Sequence, residues 1–362
     1  MAKNEYIPQL VLHPSVTLLE KLDEMGMSRK EFALRTEKPE QTIIAVLKGE
    51  SSITPEMAIL FENVTRIPAS FWINKQARYN EFKAREKQME TIRSASEWTK
   101  QFPYAQMANL GWVPSTRNLE EKSINLFSYF GVSSNVAWEN LYMKSELKVA
   151  AYTTLKHTID PHSISAWLRR GEIQATEIET PAFNPRIFKQ NLYMIKTIMA
   201  KQPSGFFINL QKLCLEAGVK VFYTPKLPKV PLSGSTRWIN DNPIIQLTAR
   251  YNQNDRFWFT FFHEAGHILL HGKKYISLEN IDFSEADPLK EQEAHKFAEE
   301  WTFSSDQEKE VLSSFSLTED DIISYAEKFN THPAIIIGRF HHKGLIPFSV
   351  GRRFIVPLNL SD

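Results

Sequence analysis

Cysteine is nearly absent from this sequence of 362 residues. It contains a single cysteine, Cys214, so no internal disulfide can form, which is typical of a reducing compartment. Cys214 lies in the apolar run 206–215, and this position indicates a buried side chain rather than a nucleophile. No run approaches about 20 apolar residues, and Met1–Glu5 lacks a signal-peptide pattern. We therefore expect a cytoplasmic protein that has no membrane segment.

An excess of one charge sign is also missing. The 43 Lys and Arg residues nearly balance the 42 Asp and Glu residues, so the whole-chain charge does not favour nucleic acid or a membrane. Hydrophobic residues make up 42% of the sequence, which excludes a wholly disordered chain. Because a single core stops growing near about 250–300 residues, we expect more than one domain.

Short helices are predicted along residues 14–82. Apolar side chains recur there at helical spacing, and turn or capping residues separate the runs. Ser28 and Glu31 form a capping-box pattern, while Gly26 and Gly49 are placed to end helices. We predict an all-α domain over residues 1–82, followed by a helical middle region over residues 83–200.

The alternating apolar pattern that predicts β-strands occurs only after Gly218. We predict three of them, at 219–223, 235–238 and 243–247, then helices near 255–271, 292–303 and 318–329, another helix through Ile337, and a β-rich tail from Pro347 to Leu358. The predicted fold class is therefore mainly α with a small β-sheet (α+β), and the α+β part forms a third domain over residues 201–362.

Two histidines separated by four residues provide the strongest chemical signal. His263 and His267 lie on one face of the predicted helix, one turn apart, where both imidazoles can reach a single ion. The surrounding sequence is apolar and aromatic, so polar groups inside this helix are costly unless they are paired or ligated. Imidazole suits zinc, and a catalytic zinc takes three protein ligands and a water molecule. Glu264, the neighbour of His263, could hold that water.

A third ligand is expected in the segment 291–298. Glu291 and His295 are one helical turn apart, which suits a carboxylate ligand with a partner behind it that orients a ligand imidazole. Glu293 is the alternative ligand. His271 continues the four-residue spacing, but a straight helix places it about 12 Å from His263. We interpret His271 as a helix-end histidine near the last carbonyl groups.

Metal-assisted hydrolysis is the chemistry that such a site implies. Zinc lowers the pKa of its water, Glu264 takes the proton, and an amide carbonyl is attacked. Glu264 then gives the proton to the leaving amine. Candidates for stabilising the oxyanion are His332, Arg339, His341 and Tyr325, although a structural role is the stronger interpretation for each of them.

The C-terminal motifs resemble those of the ImmA/IrrE family of metallopeptidases. The similarity covers roughly residues 200–345 and lies in four segments: 243–247, 259–271, 291–298 and 332–339. The resemblance implies a zincin-like fold, a zinc cofactor and proteolysis of a protein substrate such as a repressor or the chain itself. It also implies metal ligands at His263, His267 and Glu291 and a base at Glu264.

Two positions depart from this family's pattern. His295 stands where Asn or Asp is usual, although an imidazole can still form hydrogen bonds. The segment 301–304, Trp-Thr-Phe-Ser, replaces an apolar stretch that usually ends in Pro, and it affects the expected substrate cleft.

The N-terminal helices resemble a Cro/repressor-type helix-turn-helix domain of the HigA-antitoxin kind. The segments that carry this similarity are 13–14, 49, 53–56 and 71–72. The resemblance implies DNA as a partner, with residues 40–48 forming the helix that enters the major groove. Base edges would then be contacted by Gln41 and Thr42, and phosphates by Arg29, Lys30 and Lys48.

Charge weakens this DNA-binding interpretation. Residues 1–90 contain 13 basic and 13 acidic side chains, so DNA binding could require a homodimer. The main hypothesis is a DNA-binding regulator with a fused zinc endopeptidase. The alternatives are a non-enzymatic HigA-like antitoxin or repressor whose zinc domain is structural or sensory, and a protease with a helical protein-interaction module.

Overall fold

The computed structural model describes most of the chain, and its helices and strands fall into two compact units, Met1–Ser94 and Ala95–Asp362. The described residues are 11–146, 160–248, 253–274, 277–278, 288–313, 318–358 and 360. The start of the chain, where no signal peptide was expected, and residues 147–159 of the predicted helical middle region lie outside them.

The first unit consists of helices throughout its described part. They are α1 (Pro14–Glu24), α2 (Arg29–Arg35), α3 (Glu40–Leu47), α4 (Pro55–Thr65) and α5 (Ala69–Ser94). Their apolar faces meet in one core, which includes Leu18, Phe32, Ile43, Phe61 and Trp72.

Local sequence sets the ends of these helices as predicted. The Ser28 hydroxyl accepts a hydrogen bond from the Glu31 amide at 3.1 Å, and the Thr54 hydroxyl accepts one from the Met57 amide at 3.2 Å. Gly26 has a φ of 62°, a left-handed conformation that glycine adopts without strain. The capping side chains therefore satisfy amides that the first helical turns leave unpaired.

The second unit contains more helices and one small sheet. Its elements before the sheet are α6 (Ser96–Lys100), α7 (Tyr104–Asn109), α8 (Leu119–Phe130), α9 (Asn135–Trp138), a π-helical turn (Glu139–Glu146), α10 (Pro161–Thr176), α11 (Pro185–Lys201) and α12 (Phe206–Glu216). Those after it begins are β1 (Lys220–Tyr223), β2 (Gly234–Ile239), β3 (Asn242–Leu247), α13 (Asn254–His271), a 3-10 turn (Gly272–Lys274), β4 (Ser277–Leu278), α14 (Pro288–Thr302), α15 (Ser305–Leu312), α16 (Glu319–Phe329), α17 (Pro333–His342) and a 3-10 turn (Arg352–Phe354).

The sheet has the strand order β1-β3-β2-β4 among the described residues. Strand β3 lies between its two predecessors, parallel to β1 and antiparallel to β2, with Lys220 opposite Ile244 and Thr236 opposite Ile245. The three predicted strands and the α+β class are thus confirmed. The aromatic side chains of α13 pack with β1, β3 and several helices in the main core of this unit.

Helix α10 is tied to the sheet by buried hydrogen bonds. The Gln246 amide of β3 donates to the carbonyl of Trp167 at 2.8 Å, and the Arg237 guanidinium of β2 donates to the carbonyl of Leu168 at 2.8 Å. A Cβ on Gly171 would lie 2.1 Å from the Gln246 side-chain oxygen, so glycine allows this close approach. These contacts join residues on both sides of position 200 within one compact unit. The predicted domain boundaries at 82/83 and 200/201 stay predictions.

The predicted β-rich tail is wrong for the part of residues 347–358 that the structure describes, which contains a 3-10 turn and no strand. Pro347 and Pro357 have no amide hydrogen for a ladder. The Asn254 side chain instead accepts a hydrogen bond from the Val356 amide at 3.2 Å and donates one to the Phe354 carbonyl at 3.0 Å. The tail therefore attaches to the start of α13.

Segment 301–304 lies where two helices meet. Thr302 ends α14, and Ser304 caps α15 through a full capping box with Gln307. Helix α15 was not among the predicted helices. Within the described residues, no helix combines the length and apolar character that a membrane crossing requires.

Candidate metal centre

Helix α13 holds two histidines in a buried environment. His263 and His267 are 5% and 1% exposed, and the apolar side chains of the same helix pack into the main core. Helix α14 crosses α13 closely, since a Cβ on Gly266 would lie 3.2 Å from the Cβ of Phe297. Because Gly266 has no side chain, α14 can bring its acidic first turn toward the histidines.

Three side chains converge at this crossing. The Nε2 atoms of His263 and His267 are 3.0 Å apart, while Glu291 Oε2 lies 3.2 Å from the first and Glu291 Oε1 lies 3.4 Å from the second. Among the described residues, these three side chains form the one group whose donor atoms lie close enough to share an ion. The structure thus brings Glu291, and not Glu293, to the histidine pair.

The spacing of these atoms fits a tetrahedral ion. Ligand atoms at about 2.0–2.1 Å from a tetrahedral zinc are roughly 3.3 Å apart, and the three observed separations lie within a few tenths of an ångström of that value. Two imidazoles and one carboxylate also form a donor set that zinc accepts. The residues present therefore fit a zinc ion.

The electrostatics of the site favour the unprotonated forms of two of the three converging side chains, His267 and Glu291. Burial lowers the pKa of His267 to about 4, although the Glu291 carboxylate opposes that shift. Burial raises the pKa of Glu291, but hydrogen bonds with His263 and His267 outweigh it and hold the pKa well below its usual range. Near neutral pH both side chains are thus in the form that a metal requires.

Glu264 is enclosed between α13 and β2. Its side chain is fully buried, and its backbone carbonyl accepts a hydrogen bond from the Thr236 hydroxyl at 3.1 Å. The carboxylate lies against Gly234, where a Cβ would be 2.9 Å from Glu264 Oε1 and 2.8 Å from the Thr260 methyl group. The missing side chain at Gly234 therefore leaves the space that this carboxylate occupies.

Two further side chains extend the site behind His267. His267 Nδ1 lies 2.9 Å from His271 Nδ1, and His271 Nε2 lies 3.0 Å from the Glu293 carboxylate. Sequence reasoning assigned His271 to the helix end and Glu293 to a possible ligand position, and it missed this connection. The signal was the repeated four-residue spacing from His263 through His267 to His271, which places all three on one helix face.

His295 lies beside Phe259 and Glu299. Its ring packs edge-on against Phe259 at 5.0 Å between centroids, and its Nε2 is 3.7 Å from the Glu299 carboxylate. Burial lowers its pKa. The orienting role thus stays a prediction for His295.

The four candidates for oxyanion stabilisation have structural contacts. His332 Nδ1 accepts a hydrogen bond from the Ala334 amide at 3.1 Å and caps α17, while burial lowers the His332 pKa to about 4. Arg339 lies 2.9 Å from Glu299 and 3.3 Å from Glu308. The remaining two pack elsewhere: His341 lies 3.0 Å from the Val350 carbonyl, and Tyr325 stacks on Phe329. These contacts agree with the structural interpretation.

The predicted DNA contacts lie on α2 and α3 or beside them. Four of the five side chains are exposed and the fifth, Thr42, is half-buried; the exposed ones are Arg29, Lys30, Gln41 and Lys48. Three α3 residues, Ile43, Val46 and Leu47, are buried in the core. Helix α3 therefore presents one face to solvent and the other to its own unit.

Comparisons with known proteins match a part of each unit. A helix-turn-helix family model matches residues 18–72, and a model of the IrrE N-terminal-like domain, a peptidase family, matches residues 214–336. A curated relative from Escherichia coli K12, the uncharacterized HTH-type transcriptional regulator YddM, is 36% identical over 63 residues, which are 17% of this chain and 67% of YddM. The chain is a helix-turn-helix regulator with an IrrE-like peptidase domain. Both predicted resemblances are thus confirmed.

Two solved structures are similar to part of this helix-turn-helix regulator. One is a HigA-family addiction module antidote protein from Coxiella burnetii, 28% identical with a TM-score of 0.22. The other, from Nostoc punctiforme, is described as an antidote protein of a plasmid maintenance system and is 25% identical with a TM-score of 0.23. Each similarity covers 23% of this chain and 92% of the other chain.

Proposed function

We propose that this protein is a DNA-binding transcriptional regulator whose IrrE-like domain is a zinc-dependent endopeptidase. Its substrate would be a regulatory protein, either a separate repressor or a copy of the chain itself. The observation that supports the proposal best is the convergence of His263, His267 and Glu291 within 3.0–3.4 Å on a buried helix crossing.

The three converging side chains would hold the ion, and Glu264 would move protons. When bound, zinc supplies Lewis-acid activation of a water molecule. Glu264 follows the ligand His263 directly in sequence, and its carboxylate takes the proton of the attacking water and returns it to the leaving amine. Burial of this carboxylate excludes competing water and strengthens its electrostatic interactions.

Binding of DNA would use the exposed face of α3. Gln41 and Thr42 stand at the start of this helix, where side chains can reach base edges, and Lys48 follows its end. Since residues 1–90 have no net charge, a homodimer with two half-sites would provide the phosphate contacts that one copy lacks.

The proposal is tested by separating metal binding from cleavage. We expect purified wild-type protein to contain about one zinc per chain and His263→Ala to contain none, while His342→Ala, at an exposed position, keeps it. Glu264→Gln should keep zinc but lose cleavage by at least about 100-fold, because the proton acceptor is removed.

Cleavage is measured by a method that does not require the substrate to be identified first. New protein N-termini are mapped by mass spectrometry in cells that express the wild type or Glu264→Gln, and repression of the chain's own promoter is followed in parallel. Termini that depend on Glu264 support the peptidase. Identical termini together with intact repression would contradict it and favour the non-enzymatic antitoxin-like repressor.

A further inference from the structure

A chain of hydrogen-bonding groups leads from the candidate metal ligands to the protein surface. It runs from His267 through His271 to Glu293, with separations of 2.9 Å and 3.0 Å between the polar atoms. The His271 side chain is 2% exposed, whereas that of Glu293 is 62% exposed. A nearly buried imidazole thus connects a fully buried one to a carboxylate in contact with solvent.

The direction of these hydrogen bonds follows from the metal site. His267 faces His263 and Glu291 through Nε2, so ligation through that atom leaves the proton on Nδ1. This proton is then donated to His271 Nδ1, which must be the unprotonated nitrogen of its ring. His271 carries its own proton on Nε2 and donates it to the Glu293 carboxylate. One tautomer of each imidazole satisfies the whole chain.

We propose that His271 and Glu293 are positioning residues that fix the ring orientation and tautomer of His267 for metal binding. This inference rests on the proposed function, since it requires His267 to be a ligand. Partners behind a ligand imidazole commonly change metal affinity by about 10–100-fold. The pair acts through His267 and touches neither the ion nor a substrate.

The contacts of His271 differ from those of a histidine that only caps the end of a helix. His271 is the last residue of α13, where an imidazole could cap carbonyl groups, but its two ring nitrogens lie against His267 and Glu293 instead. Glu293 stands two residues after Glu291 on α14, so the same helix provides a ligand on one face and the outer carboxylate on another.

The test measures affinity for Zn²⁺ by competition with a chromophoric chelator and records the visible absorption of the Co²⁺-substituted full-length protein. We expect His271→Ala and Glu293→Ala to bind Zn²⁺ about 10–100-fold more weakly and to change the Co²⁺ spectrum. Glu293→Gln should largely restore both, because its amide oxygen still accepts the His271 proton. Gln292→Ala, at a neighbouring position on α14, is the matched control and should equal the wild type.

The outcomes separate this inference from the proposed function. If the wild type binds no Zn²⁺, the proposed function and this inference are both contradicted. If the wild type binds Zn²⁺ and both alanine variants retain its affinity and spectrum, only the positioning role is overturned. A Glu293→Gln variant as weak as Glu293→Ala would also overturn it. Since Glu293 is exposed, Glu293→Ala is expected to fold, which circular dichroism of the metal-free protein verifies.

Discussion

The two units place their candidate functional side chains in opposite environments. In the helix-turn-helix unit the side chains proposed to contact DNA are exposed or half-buried, as Gln41 and Thr42 are. In the IrrE-like unit His263, Glu264 and His267 are 5%, 0% and 1% exposed. A buried polar group must have a partner, so the fold itself constrains the second set. Exposed polar side chains can instead form hydrogen bonds with water, so the fold does not fix their roles. Those roles depend on the molecule that binds to them.

This contrast predicts different responses to mutation. Small changes in the packing around the buried site should alter its chemistry, whereas changes on the exposed face should alter binding and leave stability nearly constant.

Among changes that leave Glu264 and the three converging side chains in place, the largest effect is expected from Gly234→Ala. The added methyl group would lie 2.9 Å from Glu264 Oε1 and 2.8 Å from the Thr260 methyl group, so the carboxylate must move. We expect cleavage at a Glu264-dependent site to slow by about 10–100-fold, since misplacement of a catalytic group by about 1 Å costs that much. Zinc content should stay unchanged because the ligands are untouched. Unaltered cleavage would show that β2 does not position Glu264.

A smaller effect is expected on the exposed face of α3. The double variant Gln41→Ala, Thr42→Ala should lose about tenfold in preference for promoter DNA over random DNA, because base-edge contacts provide discrimination. Lys48→Ala should weaken binding to promoter DNA and to random DNA equally. It should also reduce the dependence of binding on salt by about one counterion. Gel shifts at several salt concentrations measure both effects, with Arg78→Ala on α5 as the control. Equal loss of preference in Arg78→Ala would contradict the assignment to α3.

The smallest effect is expected on the pH dependence of stability, and it concerns one capping histidine in each unit. His13 and His332 each accept an amide hydrogen bond through Nδ1 at the start of a helix. Burial lowers the pKa of His332 to about 4 and also lowers that of His13. In the unfolded chain these histidines become protonated at a higher pH than in the folded protein. The free energy of unfolding should therefore fall as pH drops from about 6.5 toward 4.

Asparagine retains the cap without titrating, so it isolates this effect. Between pH 7 and pH 5, His332→Asn should remove about 1–2 kcal/mol of the pH-dependent loss of unfolding free energy. His13→Asn should remove less. Urea unfolding at the two pH values measures both, and an unchanged pH dependence in His332→Asn would contradict burial as the cause.

Sequence alone predicted the elements whose signals are local. Helix caps, strand alternation and the histidine pair depend on residues within a few positions of each other, and the structure has them where the sequence indicated. The sequence left Glu293 as an alternative to Glu291 because the choice depends on which face of α14 is buried. That face includes Ala294 and Ala298, and Glu291 lies on it at helical spacing.

Contacts between distant segments were not predictable. The tail alternates like a strand, yet its hydrogen bonds go to Asn254, which is about a hundred residues earlier in the chain. The contact between His271 and Glu293 likewise joins two helices, and no local sequence pattern fixes how these helices pack together. Sequence reasoning therefore named the three side chains that converge but not the groups behind them.

Cys214 is fully buried in the main core of the second unit, and burial raises the pKa of its thiol. Such a thiol reacts slowly with alkylating reagents, because the reactive thiolate is rarely formed. A cysteine introduced on the exposed face of α3 would consequently be the preferred target for a maleimide dye without removal of the native residue. A variant with one introduced cysteine can thus carry a single dye for fluorescence measurements of DNA binding.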